Sequence, residues 1–283
     1  MAPPPLRNAM SVDVEDWFQV QAFAGVIPRS SWDTIPRRVE ANTDRILAQF
    51  DHTGTIATFF TLGWIAERHP AMVRRIVDAG HELASHGYDH RLAHSFTPEA
   101  FAQDVGRAKR ILEDVSGTPV IGYRAPTFSI GPRNPWAFDM LEREGYRYSS
   151  SVFPIRHDLY GVPDAPRVPY RPGAGAIWEF PMTTVRLGSR NLPCAGGGYF
   201  RLFPYTLFRA GLRRLNRAEQ RPGIFYFHPW EVDPDQPRVP EASIMSRFRH
   251  TVNLGRMSAR LDTLLSDFAW DRMDRVFAGQ LAS

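Results

Sequence analysis

The chain has 283 residues, 43% of them hydrophobic and 23% charged, enough apolar material for one large α/β domain or two small ones. Its formal net charge of +4 rests almost wholly on arginine, because Lys109 is the only lysine, which removes the usual lysine Schiff-base chemistries from consideration. The arginines are scattered, so no nucleic-acid partner is expected, and the single cysteine, Cys194, excludes an intrachain disulfide and a cysteine-rich zinc cluster.

The opening MAPPPLRNAM contains no apolar leader region, and no apolar run approaches the roughly 20 residues of a membrane span. A soluble, cytoplasmic protein without a transmembrane segment is expected. Residues 1–8 read as a loose, Pro-rich tail. Residues 9–14 form a short apolar strand that delivers Asp13, Glu15 and Asp16 to its C-terminal end. A helix over 36–50 places Val39, Thr43, Ile46, Leu47 and Phe50 on one face. Residues 55–62, TIATFFTL, are β-branched and aromatic on both faces, as a buried parallel strand requires. His69 and Pro70 open a helix with Met72, Val73, Ile76 and Val77 inward, and Gly80 stops it.

The third strand, 81–85, feeds a histidine-rich loop. Thr97 and Pro98 are a cap and first-turn pair for a helix carrying Phe101, Val105, Ala108, Leu112 and Val115. A fourth strand at 120–123 ends at Arg124, a helix covers 135–144, and 146–151 is the fifth strand. A Pro/Gly-rich connection over 153–176 leads to a sixth strand at 177–185. The glycine run 196–198 precedes a helix over 204–219, and the seventh strand, 224–227, ends at His228. The remainder reads as mostly helical, with Met257, Leu261, Leu264, Leu265 and Phe268 at helical spacing. This alternation predicts parallel strands in a barrel or doubly wound sheet. Polar groups after the first, third, fourth and seventh strands fit the C-terminal face of a β/α barrel better than a single crevice.

The segment HELASHGYDHRLAH, 81–94, holds four of the nine histidines. His86 and His90 stand four residues apart, a spacing that on a helical turn puts both imidazoles within reach of one metal ion. The pair is not the HExxH of zinc proteases, since Gly87 follows the first histidine. His81 and His94 read as a strand-start and a surface histidine. The third ligand is expected among Asp13, Glu15 and Asp16, whose mutual repulsion a cation would relieve while one acid stays free as general base. Arg124, at a strand end, suits a guanidinium that orients a carboxylate. His228 suits a general acid for a leaving amine. Trp178, Tyr199, Phe200 and Trp230 supply either an apolar rim for sugar rings or core.

Five ordered segments, SVDVEDW (11–17), SHGYDH (85–90), GYRAP (122–126), YSSSVFP (148–154) and FYFHP (225–229), resemble the polysaccharide deacetylases, carbohydrate esterases with the NodB homology domain. The resemblance spans roughly residues 9–232. DVEDWFQV, WEFPMTT, GGGYFRLFP and SRFRHTVNLGR further resemble the branch associated with exopolysaccharide loci of exosortase/PEP-CTERM systems, with 233–283 as that branch's C-terminal extension packed on the barrel. Arg247, Arg249, His250 and Arg256 in that extension either touch substrate or are structural.

The resemblance implies a deformed (β/α) barrel of about seven parallel strands and a metal-dependent hydrolase that removes N-acetyl groups from amino sugars of an oligo- or polysaccharide. It makes Asp13 the general base, His86 and His90 metal ligands, Arg124 the residue that orients Asp13, and His228 the acid that protonates the amine. A backbone N–H near Thr127 would share the oxyanion with the metal. Tyr88, Pro126, Thr127, Tyr199 and Trp230 are expected against substrate. Zn2+ is the default cation, with Co2+ or another first-row metal as alternatives. The partner implied is an N-acetylated glycan, and the basic charge is compatible with a lipid-linked one at the inner membrane surface.

Two departures from the family pattern stand out. Adjacent aspartates are replaced by Asp13, Val14, Glu15 and Asp16, so the metal carboxylate falls to Glu15, with Asp16 as its rival. The fourth segment usually brings an aspartate to support the acid histidine; residues 149–151 offer only hydroxyls, leaving Glu231, Asp233 or no partner for His228. Rival readings are a cyclic-amide hydrolase of the same fold and a non-catalytic glycan-binding barrel. A glycoside hydrolase would need two spaced carboxylates and no metal.

Overall fold

The structure, a computed structural model, describes residues 6–283. Its strands are β1 (Asn8–Val14), β2 (Thr58–Thr61), β3 (Glu82–Ser85), β4 (Gly122–Tyr123), β5 (Tyr148–Ser149), β6 (Trp178–Glu179), β7 (Thr184–Leu187), β8 (Arg190–Pro193), β9 (Ile224–Phe227) and β10 (Trp270–Asp271). Seven parallel strands, from β9 through β1 to β6, curl into a half-barrel, as the strand–helix alternation predicts. β1 is its axis, buried at all seven residues. Ala9 pairs with β9 and β10 at once, so these flank β1 on opposite edges, and β10 fills the edge below the stretch taken by β2. The C-terminal region thus adds an eighth parallel strand, which its helical periodicity did not announce.

The helices are α1 (Val39–Thr53), α2 (Gly63–Arg68), α3 (Pro70–Asp78), α4 (Pro98–Ser116), α5 (Trp136–Arg143), α6 (Gly197–Leu202), α7 (Tyr205–Ala218), α8 (Ile244–Thr251) and α9 (Met257–Asp267), followed by short turns. The apolar faces read from the sequence are the buried ones: Val39, Thr43, Ile46 and Phe50 in α1, and Met257, Leu261, Leu264 and Leu265 in α9. Thr97 Oγ1 accepts from the Ala100 N–H at 3.3 Å, the expected cap of α4. α2 was not expected. It forms because Gly63 lets the chain leave β2 against α4, where a Cβ would lie 3.0 Å from the Tyr88 ring and 3.2 Å from Ala108 Cα.

The sixth strand expected over 177–185 is shorter. β6 ends at Glu179, Pro181 interrupts the run, and the chain resumes as β7, which forms an antiparallel hairpin with β8 around Gly188 at φ 59°. Asn8 already belongs to β1; residues 1–5 of the expected tail lie outside the described residues. Among the described residues no helix is long and apolar enough to cross a membrane.

Candidate active site

Because the strands are parallel, the segments after β1, β3, β4 and β9 emerge on one face. There Glu15, His86 and His90, all buried, bring one donor atom each to within 4.8 Å of one another. His86 follows β3 directly. His90 does not return on a helical turn, as its spacing suggested. Gly87 at φ 77° and His90 at φ 58° fold a loop back on itself and set the two rings 5.5 Å apart. His86 Nδ1–H donates to the Arg124 carbonyl at 2.8 Å, which leaves the Nε2 lone pair free as a ligand. Burial holds the His86 pKa down at about 4, so the ring is neutral at pH 7, as ligation requires.

Burial alone would raise the Glu15 pKa, but His90 and His228 outweigh it and bring the carboxyl to about 2. Its Oε2 lies 2.7 Å from His90 Nε2, yet the two are not aligned as a hydrogen bond, and this buried oxygen has no other partner. An orphaned, ionised oxygen facing two imidazoles is a donor set that fits a divalent cation.

Asp16, the rival ligand, is committed elsewhere. Its Oδ2 accepts from the N–H groups of Arg38 at 2.8 Å and Val39 at 3.1 Å, and Oδ1 from Trp17 N–H at 2.9 Å. It satisfies the open donors at the start of α1, so a carboxylate one residue beyond Glu15 serves the fold instead of the cluster.

Asp13 sits in β1 facing the same cleft. Arg124 Nη1 donates to its Oδ1 at 2.6 Å and to Ser11 Oγ at 2.9 Å, while Nε donates to the Ser150 carbonyl at 3.1 Å. The guanidinium has no exposed surface and lies 4.0 Å from the Phe60 ring centroid. Held from three sides, it fixes one Asp13 oxygen.

His228 closes the opposite wall. Its Nε2 is 3.3 Å from Glu15 Oε1, and its Nδ1 is 2.8 Å from Glu231 Oε1. Of the two acids expected near it, Glu231, three residues on, is therefore the partner of His228. Asp233 binds Arg38 and Asn42 instead. Burial alone would lower the His228 pKa, but Glu15 and Glu231 outweigh it and raise it to about 9.

These groups line a cleft of ≈ 530 Å³ together with Thr127, at φ 54°, and Tyr199. Of the other expected contacts, Trp230 is part of the cleft wall, whereas Tyr88 and Pro126 fall elsewhere. The Tyr88 hydroxyl points outward to Glu67 at 2.8 Å, with Arg107 over its ring. Pro126 and Phe200 are buried, and Trp178 lies in β6 beneath Arg171, away from the cleft lining. Trp230 is only 6% exposed: its Nε1–H donates to Glu15 Oε1 at 3.3 Å and its ring stacks on His228 at 5.1 Å, so it is a wall, not a rim. From the extension, Arg249 and His250 line the cleft, whereas Arg247 and Arg256 do not.

His81 accepts the Ala57 N–H through Nδ1 at 3.1 Å, and His94 is exposed, as their positions suggested. Missed altogether were Arg156, His157, Leu159 and Tyr160, which the 153–176 connection folds over the cleft, with His157 stacked on Tyr160 at 3.9 Å. No periodicity marks such a loop.

The fold is thus an α/β half-barrel with a buried Glu–His–His cluster in its cleft. Residues 30–148 match the polysaccharide deacetylase family, and residues 150–278 match a domain of unknown function, DUF3473. Residues 30–148, about two fifths of the chain, thus resemble a polysaccharide deacetylase domain. It is 30% identical over 118 residues to a peptidoglycan deacetylase-like protein of Gibberella zeae, covering 41% of this chain and 34% of that protein. It is 28% identical over 118 residues to a peptidoglycan deacetylase of Helicobacter pylori, covering 40% and 38%. The matched stretch thus spans little more than a third of either relative. A Mycobacterium smegmatis structure assigned to the polysaccharide deacetylases shares the fold with TM-score 0.62 at 18% identity, over 100% of this chain and 93% of that one.

Proposed function

We propose that this protein is a metal-dependent N-deacetylase of amino sugars in an oligo- or polysaccharide. One observation carries the reading: a buried Glu15–His86–His90 cluster lies between an arginine-held Asp13 and a glutamate-held His228, in one cleft. Glu15, His86 and His90 would hold a divalent cation, zinc by the chemistry of two imidazoles and a carboxylate, which would supply Lewis-acid polarisation of the acetamide carbonyl.

Asp13, oriented by Arg124, accepts a proton from the attacking water, whose oxygen bonds to the carbonyl carbon. A backbone N–H near Thr127, which lines the cleft in a left-handed conformation, would share the oxyanion. The C–N bond then breaks with its electron pair going to nitrogen, and His228 Nε2 supplies the proton that makes the amine a leaving group. Acetate and the free amino sugar result.

Leu159, Leu202 and Phe248, each about half exposed, line the cleft and take it to the surface. A surface-opening cleft suits a chain of sugars better than the closed pocket a cyclic-amide hydrolase needs. An exopolysaccharide substrate is supported by the segments WEFPMTT, GGGYFRLFP and SRFRHTVNLGR, all inside the 150–278 match. We take 9–232 as the deacetylase unit and 233–283 as an extension integral to it.

The test is acetate release from N-acetylated chito-oligosaccharides by metal-stripped protein, before and after zinc or cobalt is added. Release that depends on metal, and falls by about 100-fold or more in Asp13→Asn with metal still bound, is expected. Stoichiometric metal without release from any N-acetylated glycan would sink the reading.

A further inference from the structure

Among the described residues, Arg201 is the one buried arginine that the chemistry above leaves unused; only 1% of it is exposed. Its Nε donates to Glu231 Oε2 at 2.7 Å. Its Nη1 donates to the carbonyls of His250 at 3.2 Å and Val252 at 2.5 Å, and its Nη2 to that of Arg249 at 3.1 Å. Two of those carbonyls end α8, where a helix leaves them without partners and a cation is favoured. Resting on the deacetylase reading above, we propose that Arg201 is a positioning residue for His228: anchored on the end of α8, it fixes Glu231, and Glu231 fixes the imidazole.

The two Glu231 oxygens are engaged separately. Oε2 takes Arg201, while Oε1 accepts the His228 backbone N–H at 3.1 Å and lies 2.8 Å from His228 Nδ1. A carboxylate with no exposed surface keeps its charge only beside a cation. His228 is not a constant cation, because it gives its proton away in the reaction. Arginine stays charged throughout. Arg201 therefore keeps Glu231 an acceptor for Nδ1–H in both states of the imidazole, so that Nε2 faces the cleft in each.

The glycine run has its explanation here. A Cβ on Gly197 would overlap both carboxylate oxygens of Glu231 and one on Gly196 would overlap the Tyr226 ring, so only glycine lets α6 lie against this carboxylate. A second path reinforces the first. Trp230 stacks between His228, at 5.1 Å, and His250, at 4.1 Å, so the end of α8 reaches the acid twice. Arg201, Glu231 and 249–252 all lie in the region matched by the domain of unknown function, so that region builds the support of the acid.

The test compares wild type, Arg201→Gln, Arg201→Lys, Glu231→Gln and the Arg201→Gln/Glu231→Gln double variant, each zinc-loaded, on two substrates. An N-acetylated chito-oligosaccharide needs its amine protonated to leave; 4-nitrophenyl acetate releases a phenolate that needs no proton. Arg201→Gln is expected to lower kcat on the glycan by about 100-fold with KM little changed, and to leave ester hydrolysis roughly unaltered. Arg201→Lys, which keeps the charge, recovers most of that loss, and adding Arg201→Gln to Glu231→Gln costs little more. In metal-free protein, the NMR signal of His228 Nδ1–H moves or vanishes in Arg201→Gln. Equal losses on both substrates, or equal losses for Gln and Lys, would overturn the inference and leave the deacetylase reading standing. Wild type that releases no acetate sinks that reading alone; the Nδ1–H signal then decides, and an unchanged signal rejects the role of Arg201. Should Arg201→Gln not fold, Arg201→Lys and Glu231→Gln carry the same comparison.

Discussion

The two walls of the cleft are built differently. On one, His86 and His90 leave a single loop, and a nearby backbone carbonyl, that of Arg124, sets the tautomer of His86. On the other, His228 is set by Glu231, Arg201 and Trp230, with the last two tied to α8. A metal-type cluster needs donors at strand ends and little else, so short loops suffice. On the proposed reading His228 is a proton donor, which needs a controlled charge environment, and buried charges must be assembled from several elements at once. The first wall is therefore local in sequence and the second is not.

The sharpest way to break this contrast lies in two adjacent carboxylates. Changes to groups that merely support ligands cost about 10- to 100-fold in metal affinity, so Glu15→Gln should cost more than about 100-fold. Asp16→Asn should leave zinc affinity near wild type and weaken the start of α1 by about 1 kcal/mol. Zinc titration and urea unfolding of both variants measure the two effects. Equal losses of zinc affinity would mean that the cluster is not confined to Glu15, His86 and His90.

A second effect is expected at the pair that links β1 to the end of β4. Arg124→Met leaves Asp13 buried without its cation, which should cost about 3–5 kcal/mol in the metal-free protein. Adding Asp13→Asn removes the stranded charge and should return part of that loss. Urea midpoints of the single and double variants decide it, and strict additivity would show that the pair is not coupled.

The contrast also explains what can be read from the sequence. Apolar β-branched runs mark strands, so the groups at or just beyond their C-terminal ends, Asp13, His86, Arg124 and His228, fall at one face by sequence alone. Tyr88 departs from its expected place because a loop that turns back on itself sends neighbouring side chains in opposite directions. Trp230, read as either rim or core, is a wall, and nothing in FYFHPW says that its ring lies under His228. Arg201 has no signal at all: it is one arginine among many, and its partners lie thirty or more residues away. Glu231 is only one of two acids near His228 in the sequence; its position three residues on forms a capping box with the histidine, which favours it over Asp233.

The smallest expected effect concerns the fourth segment, where hydroxyls stand in place of an acid. Behind those serines lies Glu179 of β6, whose Oε1 accepts the N–H groups of Ser151 at 2.9 Å and Val152 at 2.8 Å, while Oε2 is buried without a partner. Burial pushes its pKa from 4.5 up to about 7. A carboxyl whose folded pKa lies above its unfolded one binds extra proton in the native state. Its contribution to stability is full below about pH 4.5 and is lost as pH rises through about 7. Glu179→Gln keeps the Oε1 acceptor and cannot ionise, so wild type should lose roughly 1–3 kcal/mol relative to the variant between pH 5 and pH 8. Urea unfolding of both metal-free proteins at the two pH values measures the gap, and the shared titrations of His81 and His86, both held down at about 4, cancel in the difference. A gap that does not change with pH would mean that Glu179 is already charged at pH 5. The serine segment would then rest on a carboxylate.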